Sequence, residues 1–168
     1  DDYEAHFNLA CEYQQQGQLD NAVRSYIQSL GLRPDNANAY LNLSSILKTM
    51  GLAAESEIYA RQAIALQPDM ATAHNNLGNA LHGQGRLIEA EDSYKQSLVL
   101  RPDCADTLNN LAITLKDQGY WQQANDAFRR ALEIKPEWAA ARSNLLYCMS
   151  HDVQIEPQIL HAEHVAFG

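Results

Sequence analysis

Apolar and small residues recur along this chain on two rhythms, a short one that fits a helix and a long one of 34 residues. Leu9, Leu43, Leu77, Leu111 and Leu145 stand one long period apart. One place later come Ala10, Ser44, Gly78, Ala112 and Leu146, and three places after those Tyr13, Leu47, Leu81, Leu115 and Met149. Together with the residue three places before each leucine, they make an i, i+3, i+4, i+7 stripe, the buried face of an amphipathic helix. A second helix follows in each period. Its inward residues are Ala22, Ser56, Ala90 and Ala124, then Tyr26, Ala60, Tyr94 and Phe128, then Ser29, Ala63, Ser97 and Ala131. Small and aromatic side chains alternate on that face, which suits helices packed knob into gap.

Glycine and proline punctuate the same period. Gly17, Gly51, Gly85 and Gly119 fall where the first helix must end, since glycine takes a left-handed cap without strain. Pro34, Pro68, Pro102 and Pro136 stop the second helix by removing a donor and restricting the residue before them. The units are therefore 3–36, 37–70, 71–104 and 105–138, with a partial fifth over 139–150. Asp35, Asp69 and Asp103 are expected to cap the helix that follows each of them. The expected fold is all-α, a right-handed solenoid of antiparallel helix hairpins that exposes a long curved surface and encloses no deep pocket. Such a shape favours binding over catalysis.

Two departures from the period stand out. The second unit has Ser56 and Ala60 where the others have alanine and an aromatic, so looser or rotated packing is expected there, with Tyr59 filling part of the space. The fifth unit has Val153 where glycine is due. Residues 152–157 read as a loop and 158–167 as a short helix, so 151–168 is expected to be a loop plus C-terminal helix that ends the array.

At 168 residues and 46% apolar content the chain can build one elongated domain. No apolar run is long enough to span a membrane, and no basic-then-apolar leader opens the sequence. Because it starts at Asp1, it reads as a piece of something longer. Cys11, Cys104 and Cys148 are odd in number and far apart, which points to free thiols in a reducing compartment and hence to the cytoplasm. The net charge of −9 argues against nucleic acid as a partner. An array cut short exposes an apolar end, and weak self-association through that terminal surface is expected.

The candidate binding residues lie on the face turned away from the core. Position 6 of every unit is asparagine: Asn8, Asn42, Asn76, Asn110 and Asn144. Asparagine is a mediocre helix residue because its amide competes for backbone groups, so its recurrence needs a cause. The amide could bridge neighbouring helices. It could also form a ladder, each rung offering one acceptor and two donors to the backbone of an extended protein or peptide segment. Helices about 8–10 Å apart and a strand rise of about 3.3 Å give one rung per roughly three peptide residues. The neighbouring inward positions are mostly neutral, including Gln14, Gln15, Asn38, Ser45, Thr49, Thr72, Asn75, Asn79, Asn109 and Ser143. Positions 5 and 6 hold no lysine or arginine, so a clamp for an acidic peptide terminus is missing.

Nothing else in the sequence assembles chemistry. His161 and His164 lack a converging third ligand and His151 lies upstream, so no metal site is expected. His74 sits at a packing position and reads as a core or interface histidine. Trp121 and Trp138 fall at helix junctions and read as packing anchors. There is no nucleophile elbow, phosphate loop or carboxylate pair, and no cofactor or catalytic residue is expected in this chain.

The leucine, small-residue, glycine and proline positions resemble the tetratricopeptide repeat over residues 3–150. Within that class, the runs 73–79 (Ala-His-Asn-Asn-Leu-Gly-Asn) and 107–112 (Thr-Leu-Asn-Asn-Leu-Ala) resemble the superhelix of the protein O-GlcNAc transferases and their SPINDLY-type and bacterial relatives. The tail from Ser143 to His151, with Glu156, Pro157 and the run 162–164, is similar to the segment that bacterial members place before the catalytic domain. The resemblance implies that Asn8, Asn42, Asn76, Asn110 and Asn144 bind substrate backbone, as the recruiting arm of a glycosyltransferase whose catalytic motifs lie outside residues 1–168. An adaptor with an unrelated partner fits the same residues.

Overall fold

The computed structural model describes residues 2–151 and residue 165. Among the described residues there are nine helices and no strand. They are α1 (Asp2–Gln15), α2 (Leu19–Leu32), α3 (Ala37–Thr49), α4 (Ala53–Leu66), α5 (Ala71–Gly83), α6 (Leu87–Leu100), α7 (Ala105–Asp117), α8 (Trp121–Ile134) and α9 (Ala139–His151). The terminal loop and helix expected beyond residue 151 lie outside the described residues. Each glycine of the period adopts positive φ, from 73° at Gly17 to 82° at Gly119. The turns it makes are identical in kind: the N–H of Gln18, Leu52, Arg86 and Tyr120 returns to the carbonyl of Tyr13, Leu47, Leu81 and Leu115 at 2.8–3.0 Å. That six-to-one bond is the Schellman closure, and it ties the turn to the core residue at position 11. At the other end, each even-numbered helix α2–α8 stops two residues before its proline.

The helix starts differ from expectation. Asp35, Asp69 and Asp103 are not the caps; the capping position falls one residue later, at Asn36, Met70 and Cys104. Asn36 accepts from the Ala39 N–H at 3.2 Å, whereas Met70 and Cys104 supply no side-chain cap. Asp35 is held instead by Arg33 at 3.2 Å. At two helix junctions, before α5 and before α9, the fourth residue of the next helix binds the proline carbonyl. His74 Nε2 lies 2.9 Å from the Pro68 carbonyl oxygen, and Arg142 donates to that of Pro136 at 2.7 Å. His74 is thus half-buried and latches a helix junction.

The chain resolves into two compact units, residues 1–86 and 87–168. In the first, α1 packs on α2, α2 on α3, α3 on α4 and α5, and α4 on α5. Its core joins Ala10, Ala22, Tyr26, Leu30, Ala39, Leu43 and Ile46. Phe7 meets the Tyr26 ring edge-on at 5.5 Å. Ser56, where the period expects alanine, bonds the facing helix: its Oγ donates to the Ser44 carbonyl at 2.8 Å and lies 3.2 Å from Ser44 Oγ. Tyr59 packs against the core and stacks on Tyr40 of the adjacent helix at 6.1 Å. In the second unit, α6 packs on α7, α7 on α8 and α9, and α8 on α9. Ala90, Tyr94, Leu108, Ala112, Ala124, Phe128 and Ala131 are buried there as the period requires. Leu9 is the exception among the leucines. It is 38% exposed while its four equivalents are at most 8%; among the described residues no helix precedes α1 to cover it.

Candidate functional site

Helix α3 presents Asn42 one residue before buried Leu43, half-buried and on the side away from α4's serine contact. Its Nδ2 donates to the Tyr26 hydroxyl at 2.9 Å. That hydroxyl in turn donates to Gln14 Oε1 at 3.1 Å, with Cys11 Sγ also 3.1 Å away. Burial pushes the Tyr26 hydroxyl well above its ordinary value, with the Cys11 contact acting in the same direction, so it stays a neutral phenol. A phenol has one proton to give. Having given it to Gln14, it accepts from Asn42, which fixes which end of the Asn42 amide faces the protein. The carbonyl oxygen of Asn42 is the amide's remaining acceptor.

Asn76 repeats the arrangement with a different partner, donating from Nδ2 to the Leu41 carbonyl oxygen at 3.4 Å. That atom belongs to α3, directly before Asn42. The two asparagines are therefore neighbours across adjacent first helices, each spending a donor on the scaffold. Asn8 is exposed on α1. In the second unit Asn110 and Asn144 are half-buried on α7 and α9. Asn109, read from the sequence as part of the open face, is instead 8% exposed and belongs with the buried residues. The other inward positions, among them Gln14, Ser45, Asn75 and Asn79, are half-buried, and Gln15, Asn38, Thr49, Thr72 and Ser143 are exposed.

Three family models match. Residues 12–51, 37–70 and 69–137 each match a model of the tetratricopeptide repeat. The chain is built from tetratricopeptide repeats. Solved structures with the same fold include a crystal structure of MamA protein, 21% identical with a TM-score of 0.82, covering 98% of this chain and 87% of that one. Pseudomonas aeruginosa PilF is 20% identical with a TM-score of 0.81, over 99% of this chain and 76% of that chain. The first repeat domain of Spaghetti (RPAP3), solved with the HSP90 peptide SRMEEVD, is 23% identical with a TM-score of 0.68, over 70% and 94%. At these identities the likeness is one of fold. No curated protein matches the sequence.

Beside the asparagines, the repeats carry two aromatic groupings that sequence reasoning treated as packing alone. Trp121 stacks on His151 at 5.0 Å and meets Tyr147 at 6.3 Å, with Lys116 Nζ 5.9 Å above the Tyr147 ring. Trp138 immediately precedes α9 and lies under Lys135 Nζ at 5.0 Å. Trp138 borders an open cleft of about 600 Å³ whose other walls are Asp106, Lys135, Pro136 and Glu137. The run Lys135-Pro136-Glu137-Trp138, a proline flanked by opposite charges with a tryptophan directly after them, was the signal in the sequence. Among the described residues no three His, Cys, Asp or Glu side chains gather as a metal would need, and no helix is long and apolar enough to cross a membrane. His161 and His164 lie outside the described residues.

Proposed function

We propose that this chain is a protein-binding scaffold that holds an extended partner segment by its backbone, with asparagine carbonyls as acceptors for the partner's N–H groups. The first unit contributes Asn8, Asn42 and Asn76, and the second Asn110 and Asn144. The observation that carries the reading is the Asn42 amide. Its nitrogen is anchored on the Tyr26 hydroxyl, so the amide is held in one orientation before a partner arrives, its oxygen is the acceptor that remains, and little ordering is left to be done on binding. The use of Asn42 and Asn76 as inter-helix donors accounts for part of the recurrence of asparagine, and one side chain serves both roles. The RPAP3 repeats were solved with a peptide of acidic character, SRMEEVD. Positions 5 and 6 here carry no cation, so a neutral, backbone-directed grip suits this chain better than a carboxylate clamp.

The resemblance to the O-GlcNAc transferase repeats gives a finer reading, a substrate-recruiting arm, which rests on the asparagine positions and two short runs. The similar structures above do not include a transferase, so an adaptor for an unrelated protein partner is the broader reading they support.

The test begins by panning random dodecapeptides against the whole chain. Binding of the selected peptide is then compared with that of versions N-methylated at alternate amides. Loss of binding on methylation, with small losses on alanine scanning of the peptide, is the expected pattern. Methylated peptides that bind as well as the parent would eliminate backbone recognition.

A further inference from the structure

The cleft at the α8–α9 junction lies outside the asparagine rungs and has a chemistry of its own. It is lined by the apolar Trp138 and Pro136 together with the charged Asp106, Glu137 and Lys135. Lys135 shows what the cleft holds well. Its Nζ sits 5.0 Å above the indole and 2.9 and 3.0 Å from the two Asp106 oxygens, a cation between an aromatic face and a carboxylate. That internal pair is loosely kept, for the Lys135 and Asp106 side chains are 49% and 62% exposed, and exposed pairs contribute little. Glu137 adds a second carboxylate, leaving the cleft with one negative charge in excess, in a chain of net charge −9.

We infer that this cleft is a side-chain subsite for arginine of the bound partner, the guanidinium stacking on Trp138 and pairing with Asp106 and Glu137 in competition with Lys135. The inference rests on the backbone-binding reading for its geometry. Asp106 precedes Asn110 by four residues on α7, so the two share a face and stand just over one turn apart, ~6 Å along the axis. A partner backbone lying at Asn110 reaches the cleft only through a long side chain. Arginine has that length, a planar head that stacks on indole, and a fork of donors for carboxylates. A second indole-bound ammonium from lysine would be held as a point charge and less specifically.

The experiment uses the whole chain and single amino-acid amides, so it does not depend on the rungs. N-acetyl-arginine amide, N-acetyl-phenylalanine amide and N-acetyl-aspartate amide are titrated separately while the indole N–H resonance of Trp138, assigned with Trp138→Phe, is followed by NMR. The arginine amide should shift that resonance saturably and the other two should not. Asp106→Asn and Glu137→Gln should each weaken the response at least about twofold, the scale of one exposed cation–π or ion-pair contact. Lys135→Ala should strengthen it, and added salt should weaken it. An aspartate amide that binds through Lys135, a phenylalanine amide that binds equally well, a Trp138 signal that none of the three moves, or weaker binding in Lys135→Ala would each overturn the inference. Failure of the backbone reading shows separately, as N-methylated peptides that still bind.

Discussion

Gln118 Nε2 donates to Glu91 Oε2 at 2.8 Å, and one period earlier Gln84 makes the same bond to Glu57 at 2.8 Å. Each pair joins the second helix of one repeat to the end of the first helix of the next. Each glutamate also holds a cation one turn along its own helix, Lys95 at 2.6 Å and Arg61 at 2.7 Å. Arg86 adds a further bond to Glu57 at 2.7 Å. In the first repeat the corresponding positions are Val23 and Met50, both packed against the core, so the junction there is apolar. The same contact is thus built twice from charge and once from hydrocarbon.

This clasp makes stability sensitive to acid. Burial raises both carboxyls, but the donors outweigh it: Gln84, Arg61 and Arg86 for Glu57, and Lys95 and Gln118 for Glu91. Both therefore sit below the ordinary value. A carboxyl lowered in the folded state adds stability above the unfolded value, and that contribution is lost as pH falls through the folded one. The melting temperature should drop on acidification below about 4.5, and the double substitution Glu57→Gln, Glu91→Gln should flatten that limb. At neutral pH, Glu57→Ala should cost about 1–3 kcal/mol, since its hydrogen bonds involve a charge. Parallel acid limbs in the two proteins would show that other carboxylates govern the loss.

Substitutions at two glycines should have opposite signs. Gly51 holds φ at 78° with nothing within 4 Å of an added Cβ, so Gly51→Ala should destabilise by backbone strain alone, about 1–2 kcal/mol. Gly31 lies inside α2, also with open space around an added Cβ and without positive φ. There the change to alanine should stabilise by roughly 0.4–1 kcal/mol through the unfolded chain. Chemical denaturation of the two variants checks both signs, and a stabilised Gly51→Ala would mean that its turn relaxes.

Features with a local cause could be read from the sequence. Gly17, Gly51, Gly85 and Gly119 need only their own φ, and Ala22, Ala124 or Phe128 follow a period that counts residues, so each landed where the pattern put it. The caps did not, because Asp35, Asp69 and Asp103 were matched to a residue type while the cap depends on where the chain turns. One residue further on, the side chains at two of the three positions cannot cap. The clasp stayed hidden for another reason. Glu57 and Gln84 are 27 residues apart and look like separate surface positions until the helices are docked. Asn42 was legible as a recurring residue, but its anchoring needed the Tyr26 hydroxyl, which the pattern recorded only as an aromatic core position.

The three thiols should react in two classes. Cys148 is fully buried and its thiol is pushed up to about 11 by burial, which suppresses the nucleophilic thiolate. Cys11 and Cys104 are half-buried. Iodoacetamide at neutral pH should therefore label Cys11 and Cys104 first, and Cys148 only once denaturant opens α9. Peptide mapping by mass spectrometry over time distinguishes the sites. Early labelling of Cys148 would mean that α9 detaches readily in solution.

The sharpest consequence concerns a residue that touches no partner in the proposed complex. Tyr26 is fully buried, yet its hydroxyl sets the direction of the Asn42 amide. Tyr26→Phe keeps the ring, its edge contact with Phe7 and nearly all the packing volume, and removes only that hydroxyl. Stability should fall by about 0.5–1.5 kcal/mol for the lost neutral bonds. Binding of a backbone-held peptide should weaken as well, because the Asn42 amide can then turn and present either end. Asn42→Ala should weaken binding by a similar factor, and the double substitution by little more than either alone, since both remove the same aligned acceptor. Peptide affinities of the four proteins, measured at a temperature where all are folded, complete the cycle. If Tyr26→Phe binds as tightly as the parent, the orientation of Asn42 is irrelevant to recognition and its amide is only a brace between helices.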